Sequence, residues 1–289
     1  MSHITTHEFE FISQLVYRRA AIVLSKGKEY LVESRLAQLA RDEGLDSASA
    51  LVRELRSGRG YELEDKVIDA MTTNETIFFR DNHPFEVMRH HVLPELIEKR
   101  ASSKQLHVWS AACSSGQEIY SFVMMLDEYF PMLRDWEITL LASDISKTVI
   151  AQAMSGVYKQ HEVARGLPEH MLSTYFRREG ADYVLTERVR ERVQFREINL
   201  CRTWPSLPMM DVILLRNVLI YFDLETKREI FRQVKRTLRP DGYMFLGAAE
   251  TTMNIDDHFE RVQFDNAGCY QIGASVESSA ASPRTSALR

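Results

Sequence analysis

Residues 106–130 read LHVWSAACSSGQEIYSFVMMLDEYF and contain two kinds of pattern in immediate succession. The first six residues form a short apolar run with β-branched and aromatic side chains, which is typical of a buried strand. Small residues then permit a tight turn, and the apolar segment after Gly116 has the length of a helix. This segment therefore predicts a strand–turn–helix unit, the repeating element of an α/β fold.

The same alternation continues towards the C-terminus. Further strands are predicted over 136–144, 193–200, 209–217 and 243–250, with helices over 145–156 and 223–238. The residues RPDG (239–242) predict a turn, and Asp223 is the predicted N-cap of the second helix. Strands that alternate with helices of this length indicate a parallel sheet covered on both faces. A hairpin over 259–273 is expected to add an antiparallel edge.

Several segments lie outside this alternation. Residues 1–72 carry apolar side chains at helical spacing, so they predict a small helical domain. Residues 73–88 link it to the main domain, 89–273, which opens with one more helix that bends near Pro94. The stretch of about 160–192 is too long for a simple connection and predicts a small strand-rich insertion.

The composition narrows the class of protein. A hydrophobic share of 45% supports a real core, yet no apolar run approaches the roughly 20 residues that span a bilayer. The first residues lack a secretion signal, so we expect a cytoplasmic protein. A net charge of −5 disfavours binding to nucleic acid, and three scattered cysteines without an HExxH motif predict no metal site. The small, polar tail 274–289 is predicted to be disordered.

The ends of the first two strands indicate the chemistry of a ligand. Ligands of open α/β sheets lie at the carboxyl ends of strands, where this chain has the loop 110–118 and then Asp144. The loop lacks the G-x-G-x-x-G pattern of a dinucleotide site, and Glu118 would repel a phosphate. Asp144 suits two ribose hydroxyls, although it could equally cap the next helix. A phosphate-free, positively charged nucleoside fits both carboxylates, and S-adenosylmethionine is such a ligand.

Two further segments have both a functional and a structural interpretation. Arg216 follows the buried apolar strand DVILL, so it is expected to meet a carboxylate, either of the ligand or of a neighbouring acid. Tyr221 and Phe222 either line the site or fill the core. The residues TTNETIFFRD (72–81) combine aromatic bulk with polar side chains, which predicts either a wall of the site or an apolar clasp between domains.

Six motifs follow one another along the chain: TNETIFFRD, VWSAACSSGQEIYS, LASDIS, REINL, LLRNVLIYFD and RPDGYMFLGAAE. In this order and spacing they resemble the chemotaxis receptor methyltransferases, the CheR family, over residues from about 8 to 272. Family members use S-adenosylmethionine to esterify glutamate side chains of methyl-accepting chemoreceptors and release S-adenosylhomocysteine. The resemblance implies an α/β fold: a Rossmann-like class I S-adenosylmethionine methyltransferase sheet with an inserted small antiparallel β-subdomain, preceded by a small all-α N-terminal domain.

The resemblance also implies which residues bind the cofactor. They are Asn74, Thr76, Arg80, Glu118, Asp144, Asn199, Leu200, Arg216 and Asn217. Within this set, Asp144 would hold the ribose, Glu118 would bind the methionine end, and Asn199 with Leu200 would flank the adenine.

The linker would then form a wall of the site rather than a plain connection. Arg80 and Tyr221 would lie near the transferred methyl group and act as catalytic residues. Phe78 and Phe79 would anchor the linker to the catalytic domain.

The implied partner is the cytoplasmic domain of a methyl-accepting chemoreceptor. We expect the enzyme to be a monomer that neither binds nucleic acid nor inserts into a membrane. Residues 11–60 hold nine Lys and Arg against six Asp and Glu, so an acidic receptor helix could dock there, with a plain solvated surface as the alternative. The candidate docking residues are Arg35, Arg41, Arg53, Arg56 and Arg59.

Some family members also grip a receptor's C-terminal peptide through a longer, glycine-rich loop of the inserted subdomain. The corresponding segment 177–181 is short here, which favours an enzyme without this tether. Two other functions stay open: a methyltransferase for nucleic acids or small molecules, and a catalytically silent adaptor that binds the cofactor.

Overall fold

A helical unit precedes an α/β unit in the computed structural model, which describes residues 4–58, 61–264 and 267–273. The predicted disorder of the tail 274–289 and the predicted docking residue Arg59 lie outside these residues. None of the helices in the described ranges is both long and apolar enough to cross a membrane.

The N-terminal region, as far as it is described, consists of four helices. They are α1 (Thr6–Ala20), α2 (Glu29–Asp42), α3 (Ala48–Arg56) and α4 (Tyr61–Met71). A capping box between Thr5 and Glu8 starts α1, and a left-handed conformation at Ala21 ends it. Each helix buries apolar residues in a shared core, among them Ile12, Leu36, Leu51 and Val67. The predicted all-α N-terminal unit is confirmed.

An interrupted helix leads into the sheet, in the place where the sequence predicts a helix that bends near Pro94. α5 (His83–Val87) continues through a π-helical turn (Met88–Val92) into α6 (Leu93–Lys99). Pro94 has no N–H to donate, and its ring would clash with the carbonyl four residues earlier. The wider π-helical turn lies immediately before Pro94 and relieves both problems, while the predicted bend stays a prediction.

The α/β unit contains ten strands in its described residues. They are β1 (Gln105–Ala111), β2 (Glu137–Asp144), β3 (Val157–Lys159), β4 (Phe176–Glu179), β5 (Asp182–Leu185), β6 (Val193–Glu197), β7 (Met210–Leu215), β8 (Leu238–Leu246), β9 (Phe259–Gln263) and β10 (Gly268–Ile272). Further helices are α7 (Gln117–Tyr129), α8 (Lys147–Ser155), α9 (Gln160–Val163), α10 (Glu169–Tyr175), α11 (Glu187–Arg190) and α12 (Leu224–Thr237), with 3-10 turns at Pro131–Asp135 and Leu219–Tyr221.

The main sheet has the strand order β6-β2-β1-β7-β8-β10-β9 within the described residues. The first five strands are parallel, and β10 and β9 add an antiparallel edge. This confirms the predicted parallel sheet with its antiparallel hairpin. The carboxyl ends of β1, β2 and β7 therefore lie side by side, where a ligand is expected.

One prediction about the last parallel strand was wrong. The residues RPDG (239–242) do not form a turn before the strand, because β8 already begins at Leu238. Leu238 pairs with Met210 and Tyr243 pairs with Val212, so four residues of β8 lie opposite a single residue of β7. The turn-forming composition is accommodated as a bulge inside the strand.

The inserted segment forms a separate antiparallel sheet in the order β3-β5-β4. The turn between β4 and β5 contains only Gly180 and Ala181, so the short loop anticipated from the sequence is present. The predicted fold class is confirmed: a Rossmann-like sheet with a small antiparallel insertion and a preceding helical unit. The absence of a receptor-peptide tether stays a prediction.

Candidate active site

A cavity lies at the carboxyl ends of β1, β2 and β7, between the sheet, the linker and the helical unit. It encloses about 940 Å³, a volume that includes space open to solvent. The ten residues that the sequence assigned to cofactor binding or catalysis all line it. They are Asn74, Thr76, Arg80, Glu118, Asp144, Asn199, Leu200, Arg216, Asn217 and Tyr221.

Aromatic packing fixes the linker as one wall of this cavity. The Phe78 side chain is fully buried, with its ring centroid 5.2 Å from that of Tyr158 and 5.6 Å from that of Phe176. The backbone N–H of Phe79 donates to Ser121 Oγ at 2.9 Å. Since Tyr158 and Phe176 belong to β3 and β4, the inserted sheet clamps the linker from outside.

A glycine allows this clamp to close. Gly166 adopts a left-handed backbone conformation, and a Cβ atom there would collide with the carbonyl oxygen of Phe78. The loop can therefore approach the linker backbone only because this residue has no side chain.

Hydrogen bonds tie the start of the linker to both domains. Ser114 Oγ, in the turn after β1, donates to the Asn74 carbonyl at 2.8 Å. On the other side, Arg35 of α2 donates to Thr73 Oγ1 at 3.1 Å, and also to the carbonyls of Met71 and Thr72, the last residues before the linker. The polar linker residues face the cavity while these bonds hold its backbone.

Arg35 is half-buried, and burial lowers the pKa of its guanidinium, which bonds to the end of α4 and the start of the linker. Its role in receptor docking stays a prediction. Arg41, Arg53 and Arg56 are exposed on the helical unit, as a docking surface requires. Arg56 nevertheless lies over the Phe11 ring, 4.9 Å from its centroid.

Asp144 lies at the end of β2 and organises two loops. Its Oδ2 accepts the backbone N–H of Ser114 at 2.9 Å, and its Oδ1 accepts that of Ser146 at 3.0 Å. Burial raises the pKa of this carboxyl, and the two N–H donors partly offset that effect. The alternative that Asp144 merely caps the next helix is wrong, because Ser146 is the N-cap of α8 and accepts from Val149.

Arg216 lines the cavity and forms ion pairs with two neighbouring carboxylates. Its side chain is only 2% exposed, and Nη1 lies 2.8 Å from Glu118 Oε2. Its Nη2 lies 2.8 Å from Asp81 Oδ2 and donates to the Arg80 carbonyl at 2.9 Å. The sequence predicted that Arg216 meets a carboxylate, either of the ligand or of a neighbouring acid. Two neighbouring acids, Glu118 and Asp81, pair with it. Ser110 Oγ donates to the other oxygen of Glu118 at 2.8 Å, which fixes that carboxylate.

The side chain of Asn199 connects the catalytic unit to the helical unit. Its Nδ2 donates to the Arg19 carbonyl at 2.8 Å, and its Oδ1 accepts the N–H of Cys201 at 3.0 Å. The amide group is thus occupied by protein partners, so the backbone of Asn199 and Leu200 is what this segment offers to a ligand.

The end of α1 contributes a part of the wall that no sequence pattern predicted. Ala20 and Ile22 line the cavity beside Asn199 and Cys201. The last carbonyls of a helix lack partners within the helix. Here the catalytic unit supplies them: Arg202 donates to the Arg18 carbonyl at 2.8 Å and the Cys201 thiol to that of Ala20 at 3.2 Å.

Comparisons with known proteins agree with this arrangement. Residues 7–72 match the family model "CheR methyltransferase, all-alpha domain", and residues 74–267 match "CheR methyltransferase, SAM binding domain". "Chemotaxis protein methyltransferase 1" of Pseudomonas aeruginosa is 42% identical over 261 residues, covering 89% of this chain and 94% of that protein. "Chemotaxis protein methyltransferase Cher2" of Pseudomonas putida is 38% identical over 269 residues, covering 91% and 97%.

Similarity to solved structures is more distant. The glycopeptide N-methyltransferase MtfA complexed with S-adenosyl-L-methionine is 13% identical with a TM-score of 0.35, over 60% of this chain and 51% of that chain. Similarity at this level supports no conclusion about the substrate.

Proposed function

This chain belongs to the CheR methyltransferase family and is an S-adenosylmethionine-dependent methyltransferase of chemotactic adaptation; we propose that it esterifies glutamate side chains of a chemoreceptor in the cavity described above. The observation that carries the proposal is the convergence of the linker, the sheet and the helical unit on one cavity. A receptor carboxylate would reach this cavity from its open side.

The lining of the cavity suits the cofactor. Among the described lining residues, the carboxylates of Glu75, Glu118 and Asp144 outnumber the guanidinium groups of Arg80 and Arg216. This excess of negative charge favours a ligand with a sulfonium and an amino group over one with phosphates.

The individual roles follow from chemistry. Asp144 would accept hydrogen bonds from the ribose hydroxyls, and Glu118 would attract the amino group of the methionine end. The backbone of Asn199 and Leu200 would border the adenine. The remaining cavity residues that would complete the enclosure are Asn74, Thr76, Arg80, Arg216 and Asn217.

When bound, S-adenosylmethionine supplies an activated methyl group and becomes S-adenosylhomocysteine. The protein then needs no general base, because the glutamate side chain of the receptor, with a reference pKa of about 4.3, is already ionised at neutral pH. Its task is to orient the attacking carboxylate and to shield it from water, which is worth roughly 7–11 kcal/mol in favourable cases. Arg80 and Tyr221, both at the cavity surface, would perform this orientation.

Arg80→Ala tests the orienting role. In the wild-type protein, the Arg80 guanidinium donates to the Glu75 carbonyl at 2.9 Å, and its remaining N–H groups can meet a carboxylate in the cavity. We expect the turnover number to fall about hundredfold, because a misplaced nucleophile loses that much, while cofactor affinity changes by less than about threefold. Initial rates and calorimetric titration with S-adenosylhomocysteine would measure both quantities.

Arg165→Ala is the matched control for that variant. Arg165 lies beside the same linker, 3.7 Å from Glu75, but its side chain is 59% exposed and outside the cavity. Its loss should leave both quantities unchanged, since exposed ion pairs contribute little. Wild-type turnover in Arg80→Ala would remove Arg80 from the mechanism.

Charge reversal at Arg41 and Arg53 tests receptor docking on the helical unit. Both side chains are exposed, so an acidic receptor surface could approach them. We expect the double variant with Glu at both positions to raise the KM for receptor about tenfold and to leave kcat and cofactor affinity unchanged. The double variant with Glu at Arg134 and Arg236, two exposed arginines of the catalytic unit, is the charge-matched control. An unchanged KM would indicate that these arginines form only a solvated surface.

The substrate class is tested by incubating the protein with labelled S-adenosylmethionine and receptor-containing membranes. The proposal predicts label on a membrane protein that is released by mild base, as a carboxyl methyl ester is. Stable label on nucleic acid or a small molecule, or cofactor binding without transfer, would contradict it. The predicted monomeric state and cytoplasmic location stay predictions.

A further inference from the structure

The loop after β8 contains a carboxylate that the mechanism above does not use. Glu250 Oε2 accepts the backbone N–H groups of Asn217 and Gly247, each at 2.7 Å, and Oε1 accepts that of Ile220 at 3.3 Å. We propose that Glu250 is a positioning residue for methyl transfer: it holds the segment 216–222 in the shape that presents Asn217 and Tyr221 to the cavity. The inference rests on the proposed function, because Tyr221 is assigned to catalysis there.

The held segment has few bonds of its own. After β7 the chain turns out of the sheet at Asn217, whose φ of 59° lies in the left-handed region that non-glycine residues rarely adopt. Only one short 3-10 turn, Leu219–Tyr221, follows before the N-cap of α12. A carboxylate that accepts several N–H groups forms strong hydrogen bonds, so Glu250 supplies the constraint that regular structure does not.

The ends of β7 and β8 bring Glu250 next to the segment 216–222. Leu215 pairs with Leu246 at the ends of β7 and β8, which brings the two following loops together. A Cβ atom on Gly247 would lie 2.6 Å from Asn217 Nδ2 and 2.7 Å from Glu250 Oε2. The bare glycine backbone therefore allows one carboxylate to bridge both strand ends.

Glu250 acts through the segment and not on the substrate. Its side chain does not line the main cavity, and both of its oxygens face backbone donors. The acceptor glutamate is already ionised, so no general base is needed at this position. The competing explanation is that Glu250 only stabilises the fold.

Two substitutions separate these explanations. In Glu250→Gln, the amide oxygen can keep the two shorter bonds to Asn217 and Gly247, while its NH₂ group then faces the N–H of Ile220. This change disturbs the turn that carries Tyr221. We therefore expect kcat to fall about tenfold, while the affinity for S-adenosylhomocysteine stays within about twofold of the wild-type value. Glu250→Ala releases Asn217 as well, so affinity should also weaken about tenfold.

Glu225→Gln, on the adjacent first turn of α12, is the control. Its side chain is 80% exposed and pairs only at the surface with Arg228, so kcat and affinity should stay at wild-type values. Rates with receptor, calorimetry with S-adenosylhomocysteine and thermal unfolding without ligand are measured for all three variants.

If Glu250 only stabilised the fold, its substitution would lower the unfolding midpoint, and kcat would not fall separately from the affinity for S-adenosylhomocysteine. The inference is overturned if Glu250→Gln retains wild-type kcat, or if Glu250→Ala binds S-adenosylhomocysteine as tightly as wild type. The titration needs no receptor. If the wild-type protein methylates no receptor, the proposed substrate fails while the affinities still test the role of Glu250.

Discussion

Replacement of Arg216 by Met is expected to weaken cofactor binding at least about hundredfold and to lower the free energy of unfolding by about 3 kcal/mol. The guanidinium is 2% exposed and joins Glu118 to Asp81, the first on α7 and the second in the linker. Methionine fills similar space without charge, so both carboxylates would lose their shared cation. Removing one partner of a buried pair leaves an uncompensated charge, which is why the expected effect is large.

A second, partly buried arginine in the same domain distinguishes local from global effects. Arg100 lies at the opposite edge of the sheet, with Nε 2.8 Å from Asp211 and Nη2 2.7 Å from Asp241. Arg100→Met should lower stability to a similar degree and leave cofactor affinity unchanged. Calorimetric titration with S-adenosylhomocysteine and chemical denaturation would measure both variants. Equal loss of affinity in the two would mean that Arg216 acts only through stability.

Asp144→Asn is expected to reduce cofactor affinity about hundredfold. An amide has one acceptor oxygen in place of two, so it cannot keep the bonds to Ser114 and Ser146 and also accept from a ribose. Asp211→Asn is the matched control, because Asp211 is also buried and accepts a backbone N–H, that of His107 at 2.8 Å, far from the cavity. It should affect stability alone.

Cofactor affinity is also expected to depend on pH through Asp144. Burial raises the pKa of Asp144, so this carboxyl takes up a proton at a higher pH than an ordinary aspartic acid does. Ribose hydroxyls donate best to the ionised form, so wild-type affinity should decline as pH is lowered through the raised pKa. Asp144→Asn should lack this decline, and unchanged wild-type affinity across that range would argue against ribose binding by Asp144.

The parts of the site that were predictable from the sequence lie at the ends of strands. Glu118, Asp144 and Arg216 follow apolar runs that could only be buried strands, and parallel strands gather their carboxyl ends at one edge. The aromatic residues of the linker were informative because a plain connection has no need to bury Phe78. For the linker, local pattern left a site wall and an apolar clasp both open, and the family resemblance favoured the wall.

The remaining features depend on contacts between distant residues. Nothing near Arg35 in the sequence indicates that it reaches the end of α4 and the start of the linker, and nothing near Asn199 indicates that its amide meets the end of α1. Glu250 stands in a motif that resembles the family, but its three backbone donors come from two different loops. The segment RPDG has turn-forming residues, yet strand pairing with β7 overrides that local preference.

The central claim is that the cavity between the linker and the sheet holds the adenosyl cofactor, and a crystal structure with S-adenosylhomocysteine tests it most directly. The account predicts the ribose beside the Asp144 carboxylate, the amino group beside Glu118 and the adenine along the backbone of Asn199 and Leu200. An empty cavity, or the nucleoside bound elsewhere on the protein, would contradict it.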